Sequence, residues 1–298
     1  MNYLIPTLFI LPFVAAIIVF FAGKISDFWR DFLACLFVAA ETAICVYCFF
    51  VTPELSFEIN DVFLLKLSFK LDGFRLLYTF VAVFMWFVTT FFSHEYFKNY
   101  TEKNRYYAFM LLTLGATVGL FMSDDLLTAF IFLEIMSFTS YVLVIHERTE
   151  KAISAAKTYI TIAITGGLVM LMGLFLLYNA FGSLSFDALY ANAGISYDKR
   201  QVYIASLLLL FGFGAKAGMF PLHIWLPKAH AAAPAPASAL LSGILTKAGI
   251  FGIAAVTVNV MRANTSWGKS ILLLAVITML LGGFLGILST DIKRTLAC

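Results

Sequence analysis

With 298 residues, 62% of them hydrophobic and only 12% charged, the chain carries far less charge than a soluble domain, for which about 25% is usual. Its apolar residues fall in blocks of about 20, the length at which a helix crosses hydrocarbon, so composition excludes a soluble globular class and points to an all-α polytopic transmembrane bundle. The net charge of +3 comes mostly from residues in loops, and without a basic stripe it gives no support for nucleic-acid binding.

Nine spans are expected, roughly Tyr3–Ala22, Phe32–Val51, Leu71–Phe92, Tyr106–Met122, Asp125–Ile145, Thr158–Phe181, Val202–Leu226, Ser238–Val260 and Ser270–Ser289. The first has neither a basic stretch before it nor a small-residue cleavage site after it, and reads as a retained span. The second holds Cys35, Cys45, Cys48 and Glu41. Cys45 and Cys48 form a C-x-x-C, but no second pair or nearby histidine completes a metal or redox site, so small-residue packing is the expectation. Glu41 is expected to be neutral and packed. Between spans two and three, Thr52–Lys70 alternates apolar and charged residues and predicts a hairpin or strand pair. Arg75 lies one turn inside the third span, within snorkelling reach of water, and Trp86 is expected to pack mid-span. Ser123 and Asp124 form a tight turn into the fifth span, with Asp124 and Asp125 as helix N-terminal acids. With the N-terminus outside, inner loops carry eleven Lys and Arg residues and outer loops six, which favours that orientation.

Three ionisable residues interrupt the apolar runs: Glu134 in the fifth span, Lys216 in the seventh and Lys247 in the eighth. A charge at mid-bilayer costs roughly 2.5–3.5 kcal/mol on insertion scales, so it persists where it meets a partner, water or a substrate path. Ser137 shares a helix face with Glu134. Around Lys216, Gly214, Gly218 and Pro221 predict a broken helix, because proline removes a donor and glycine tolerates unwound backbone; freed backbone groups at that depth must be buried or face water. Gly243 and Gly249 flank Lys247 and permit close approach. Two unit charges about 10 Å apart at an effective dielectric of about 20 interact by about 1.7 kcal/mol, enough for one titrating group to load or unload the next. Such a row suits H⁺, since it lacks the oxygen-rich cage of a bound metal cation. His223 and His230 are candidate relays, while His94 and His146 sit at span ends. A haem cytochrome fits poorly, as no pair of mid-span histidines exists. Each residue has a structural alternative: an ion pair for Glu134 or Lys247, a proline kink with a snorkelling lysine for Lys216.

The stretch Gly212-Phe-Gly-Ala-Lys-Ala-Gly-Met-Phe-Pro-Leu-His-Ile-Trp-Leu-Pro-Lys-Ala-His230, with Leu241-Ser-Gly-Ile-Leu-Thr-Lys-Ala-Gly249, Phe132-Leu-Glu-Ile-Met136 and Asp291-Ile-Lys-Arg-Thr-Leu-Ala297, resembles the proton-conducting antiporter-like subunits. These occur in respiratory complex I, Mrp-type antiporters and membrane-bound hydrogenases of the hydrogenase-4 and formate hydrogenlyase branch. The resemblance implies that Glu134 is the modulating glutamate, Lys216 the broken-helix lysine and Lys247 the central-axis lysine. It also implies no cofactor, no metal and no redox centre of the chain's own. Lys228 stands where many complex I members carry an acid, which looks more like the hydrogenase branch.

By the same resemblance the architecture is the first half of an inverted repeat. Residues 1–105 would form three N-terminal helices, 106–260 the first five-helix repeat, and 261–298 the start of a second repeat in a truncated or split chain. The implied function is proton translocation as a non-redox subunit of an NADH-quinone oxidoreductase-like or energy-converting hydrogenase complex. Alternatives are a cation/proton antiporter subunit of Mrp type, with Na⁺ or K⁺ exchanged for H⁺, and a structural anchor that does not conduct. Implied partners are other membrane subunits and the lipid bilayer, in a prokaryotic inner membrane.

Overall fold

The computed structural model describes residues 3–51, 54–62, 65–100, 102–193, 198–262 and 264–298. The order is α1 (Leu4–Ile25), α2 (Asp27–Val51), a hairpin of β1 (Leu55–Val62) and β2 (Leu65–Leu71), α3 (Gly73–Tyr96), α4 (Lys103–Phe121), α5 (Leu126–Val144), α6 (Glu150–Phe181) and α7 (Phe186–Asn192). Then follow α8 (Lys199–Ala217), a short 3-10 turn (Leu222–Ile224), α9 (Trp225–Ala232), α10 (Ala235–Leu240), a π turn (Leu241–Leu245), α11 (Thr246–Asn259), α12 (Thr265–Ile287) and α13 (Ile292–Ala297).

Among the described residues, eight helices are long and apolar enough to cross a membrane, with Lys199–Ala232 and Ala235–Asn259 each counted as one. The chain is a multi-pass integral membrane protein. The expected fourth span exists as α4 but is not among the eight; Lys103, Asn104 and Arg105 open it and dilute its apolar character. It is instead the enclosed centre: from Tyr106 to Phe121 every residue except Phe109 and Leu112 is buried. The outward faces of the peripheral helices carry exposed apolar side chains such as Phe50, Phe91, Leu168 and Phe175, as a surface facing lipid requires.

The alternating segment after α2 does form a hairpin, pairing Phe57 with Phe69 in antiparallel register. Phe69 stacks on Phe9 of α1 at 4.6 Å and meets Phe132 of α5 edge-on at 5.6 Å. The Lys70 amide donates to the Met122 carbonyl and the Asp124 amide to Ser68, both at 2.8 Å. Asp125 is the N-cap of α5, accepting from the Thr128 amide at 2.7 Å. Arg75 does not snorkel freely: it pairs with Asp72 and, at 2.7 Å, with Asp124. At the opposite end, Arg30 is held by Asp27 at 2.5 Å, Asp31 at 2.7 Å and Asn104 at 3.0 Å, and lies over the Tyr107 ring at 5.2 Å.

Helices α6 and α8 touch backbone to backbone. A Cβ placed on Gly212 would come within 2.8 Å of the Gly166 carbonyl. Only glycine allows this approach, and it brings the polar residues of α5, α6 and α8 into reach of one another.

Candidate functional site: a polar cavity beside a broken helix

The membrane-length run Lys199–Ala232 is interrupted. Gly218 ends α8 with φ of 75°, a left-handed conformation that costs glycine little. The amides of Gly218 and Met219 both donate to the Gly214 carbonyl. Pro221 precedes the 3-10 turn. The Trp225 indole N–H donates to the Ala215 carbonyl at 2.7 Å, satisfying an acceptor at the helix end. Lys216 is therefore on the last turn of a rigidly capped helix, buried at 4% exposure.

Its ammonium donates to the Tyr159 hydroxyl at 2.6 Å and to Ser137 Oγ at 3.0 Å. Ser137 in turn donates to the Leu133 carbonyl at 2.8 Å, so its lone pairs face the amine. Tyr159 OH lies 2.7 Å from Ser140 Oγ, and Ser140 donates to the Met136 carbonyl at 2.5 Å. The donors align in one direction, from amine to tyrosine to serine to backbone.

Glu134 lies one turn before Ser137 and faces Gly167 of α6, where an added Cβ would stand 2.8 Å from the carboxyl carbon. Glu134 and Lys216 line the same cavity, with Ser137, Tyr159, Gly167 and Trp225, and interact through their charges. The cavity measures about 10 Å³, on the order of the room one water needs. A carboxylate, an amine and two hydroxyls around one water position can pass a proton, and they can hold no large ligand.

Lys247 does not line this cavity. Its side chain is exposed and its ammonium donates to the Ser242 carbonyl at 2.6 Å within its own helical run. His230 is 3% exposed, with Nδ1 2.8 Å from Ser238 Oγ and Nε2 buried without a hydrogen-bond partner. The charges of Lys247 and Lys293 reach it. His223 packs against Phe220 at 6.0 Å, beside the break, and is also outside the Lys216 cavity. Lys157 is exposed and does not line that cavity either. Glu41 is buried at 1% exposure, one oxygen lacking a hydrogen-bond partner, and Cys45 and Cys48 are buried beside it in α2. Among the described residues, no group of three or more His, Cys, Asp or Glu could hold a metal ion.

Tyr159 and Trp225 were not singled out from sequence. The available signal was a phenol inside an apolar helix and an indole just past a predicted break, since a buried Tyr or Trp polar tip needs a partner.

The fold and site are those of a multi-pass membrane bundle with a carboxylate and an amine beside a broken helix. The model of the family described as NADH:quinone oxidoreductase/Mrp antiporter, TM matches residues 123–298, and the chain belongs to that family. It is 34% identical over 247 residues to hydrogenase-4 component B of Escherichia coli (strain K12), covering 81% of this chain and 35% of that protein. It is 28% identical to an Na(+)/H(+) antiporter subunit of Alkalihalophilus pseudofirmus (strain ATCC BAA-2126 / JCM 17055 / OF4), over 76% of this chain and 46% of that protein. The chain thus spans less than half the length of these relatives. In fold, it superposes on a chain of the membrane-bound sulfane sulfur reductase, an archaeal respiratory membrane complex, with a TM-score of 0.87 at 22% identity, over 98% of this chain and 61% of that one.

Proposed function

We propose that the chain is part of a membrane subunit that moves protons through the Glu134–Lys216 cavity, coupled to cation exchange as in Mrp-type antiporters. One observation carries this: a buried amine bonded only to hydroxyls, sharing a cavity of about 10 Å³ with a carboxylate. A desolvated amine beside a carboxylate can exchange its proton as the neighbour's charge changes. Similarity to an Na(+)/H(+) antiporter protein supports the exchange setting. The redox-complex setting, in a quinone-reducing or hydrogenase assembly, keeps the same site and changes what drives it.

In this reading residues 106–260 are the conducting unit and residues 1–105 its flank. Residues 261–298 begin the second half of an inverted repeat. The N-terminus and hairpin face outward from a prokaryotic inner membrane, and other membrane subunits complete the path. Lys247 and His230 form a separate station that takes the charge onward.

The test is cation-dependent collapse of a pH gradient in everted vesicles carrying the assembled complex. Lys216→Ala and Glu134→Gln should lower it. Flux that follows an added electron donor and ignores Na⁺ or K⁺ would select the redox setting, and unchanged flux in both variants would defeat the site.

A further inference from the structure

Breaking a helix at membrane depth frees backbone donors, and each needs a partner inside the protein. Through the break, Gly218 and Met219 donate to the Gly214 carbonyl, Leu222 donates to Met219, and Pro221 has no N–H to place. Phe220 is different: its amide donates to Thr278 Oγ of α12 at 3.0 Å. Thr278 donates its own hydroxyl hydrogen to the Leu274 carbonyl at 2.7 Å, which turns its lone pairs toward Phe220.

The placement is unusual for α12, whose one buried residue is Trp267 at its start. Thr278 lies in the middle of that helix, where a hydroxyl gains nothing from lipid. We propose that Thr278 is a positioning residue: its hydroxyl latches the broken segment, and through it α12 sets where the end of α8, and hence Lys216, stands. Lys216 lies two residues before the Gly218 cap, so a shift of the break moves the ammonium relative to Tyr159 and Ser137. The proposal deepens the proton-transfer reading by adding a link from a peripheral helix to the charged pair.

The experiment compares Thr278→Val, which keeps shape and removes the hydroxyl, with Thr278→Ser, which keeps the hydroxyl, in the full complex in nanodiscs. Amide hydrogen exchange of a peptide covering residues 218–224 should rise by about tenfold in Thr278→Val, the factor for one buried donor left unmade. Peptides from α4 should not change. The pH profile of flux should shift in Thr278→Val, and Thr278→Ser should restore both readouts. Unchanged exchange, loosening that spreads to α4, or a serine variant that fails to restore protection would overturn the latch. The exchange measurement does not depend on flux. If Lys216→Ala conducts normally, the proton-transfer reading falls while the latch is still judged by exchange alone.

Discussion

Arg30 and Lys216 are both buried cations, at 1% and 4% exposure, and their surroundings are opposite in kind. Arg30 is paired on several sides: two aspartates, an asparagine oxygen and the face of Tyr107 surround its guanidinium. Lys216 has two hydroxyls as hydrogen-bond partners, with its carboxylate across a cavity. A guanidinium keeps its proton in any protein setting, whereas an amine can exchange one. The Arg30 contacts tie α2 to α4. Lys216 is instead incompletely paired, beside room for about one water. Lys247, exposed and bonded within its own helical run, belongs to neither case, although glycines flank both lysines.

The largest effect separates the two cations by activity. Lys216→Ala should lower flux by on the order of 10²-fold or more, the range for loss of a proton-transfer group, and Lys216→Arg should be equally inactive, since the cavity has no room for a guanidinium. Arg30→Met should do the reverse: flux per folded molecule retained, stability reduced by roughly 3–5 kcal/mol as the buried pair with Asp31 is broken. Thermal unfolding in detergent and flux in proteoliposomes give both numbers. Loss of flux in Arg30→Met with normal stability would erase the distinction.

Smaller effects sharpen it. Tyr159→Phe keeps the ring against Trp225, 4.9 Å away, and removes one of the two acceptors of the Lys216 ammonium. Flux should fall by about tenfold, the size of one buried hydrogen bond to a charge. Gly167→Ala should have a similar effect by displacing the Glu134 carboxyl, which sits where the new methyl must go. An alanine variant with normal flux would show that the carboxyl can work from another position.

The bundle was legible because hydropathy repeats at membrane length, and the hairpin because apolar and polar residues alternate along much of each strand. Among the described residues eight helices are long and apolar enough to cross a membrane where nine spans were expected, since α4 is enclosed by protein and carries charges at its start; burial inside a bundle and burial in lipid leave different compositions. The break after α8 was legible because glycine and proline act locally. The partners of Lys216 were not: Ser137 was visible only as a neighbour of Glu134, and Tyr159 depends on how closely glycine lets α6 approach α8. The exposure of Lys247 was hidden for the same reason, since burial is decided by what packs against a helix.

The smallest effect lies at the Arg30 end. His146 follows α5, with its ring against Phe97 and Tyr106, each 5.5 Å away, and its Nδ1 buried without a hydrogen-bond partner. Burial, then the Arg105 charge and, more weakly, Arg148, outweigh Glu102 and hold its pKa at about 4, against 6.5 for a free histidine. The unfolded chain therefore takes up a proton that the folded chain refuses. The stabilising contribution is complete above pH 6.5 and is lost as pH falls toward 4. Between pH 6.5 and 5.5 the loss is about 1 kcal/mol. Unfolding temperatures across that interval should fall in the parent and stay flatter in His146→Gln, while flux per folded molecule at pH 7.5 stays equal in the two. If His146→Gln instead lowers flux at pH 7.5 and leaves the acid slope untouched, this end of the bundle takes part in conduction and the contrast between its paired charges and the open Lys216 site is wrong.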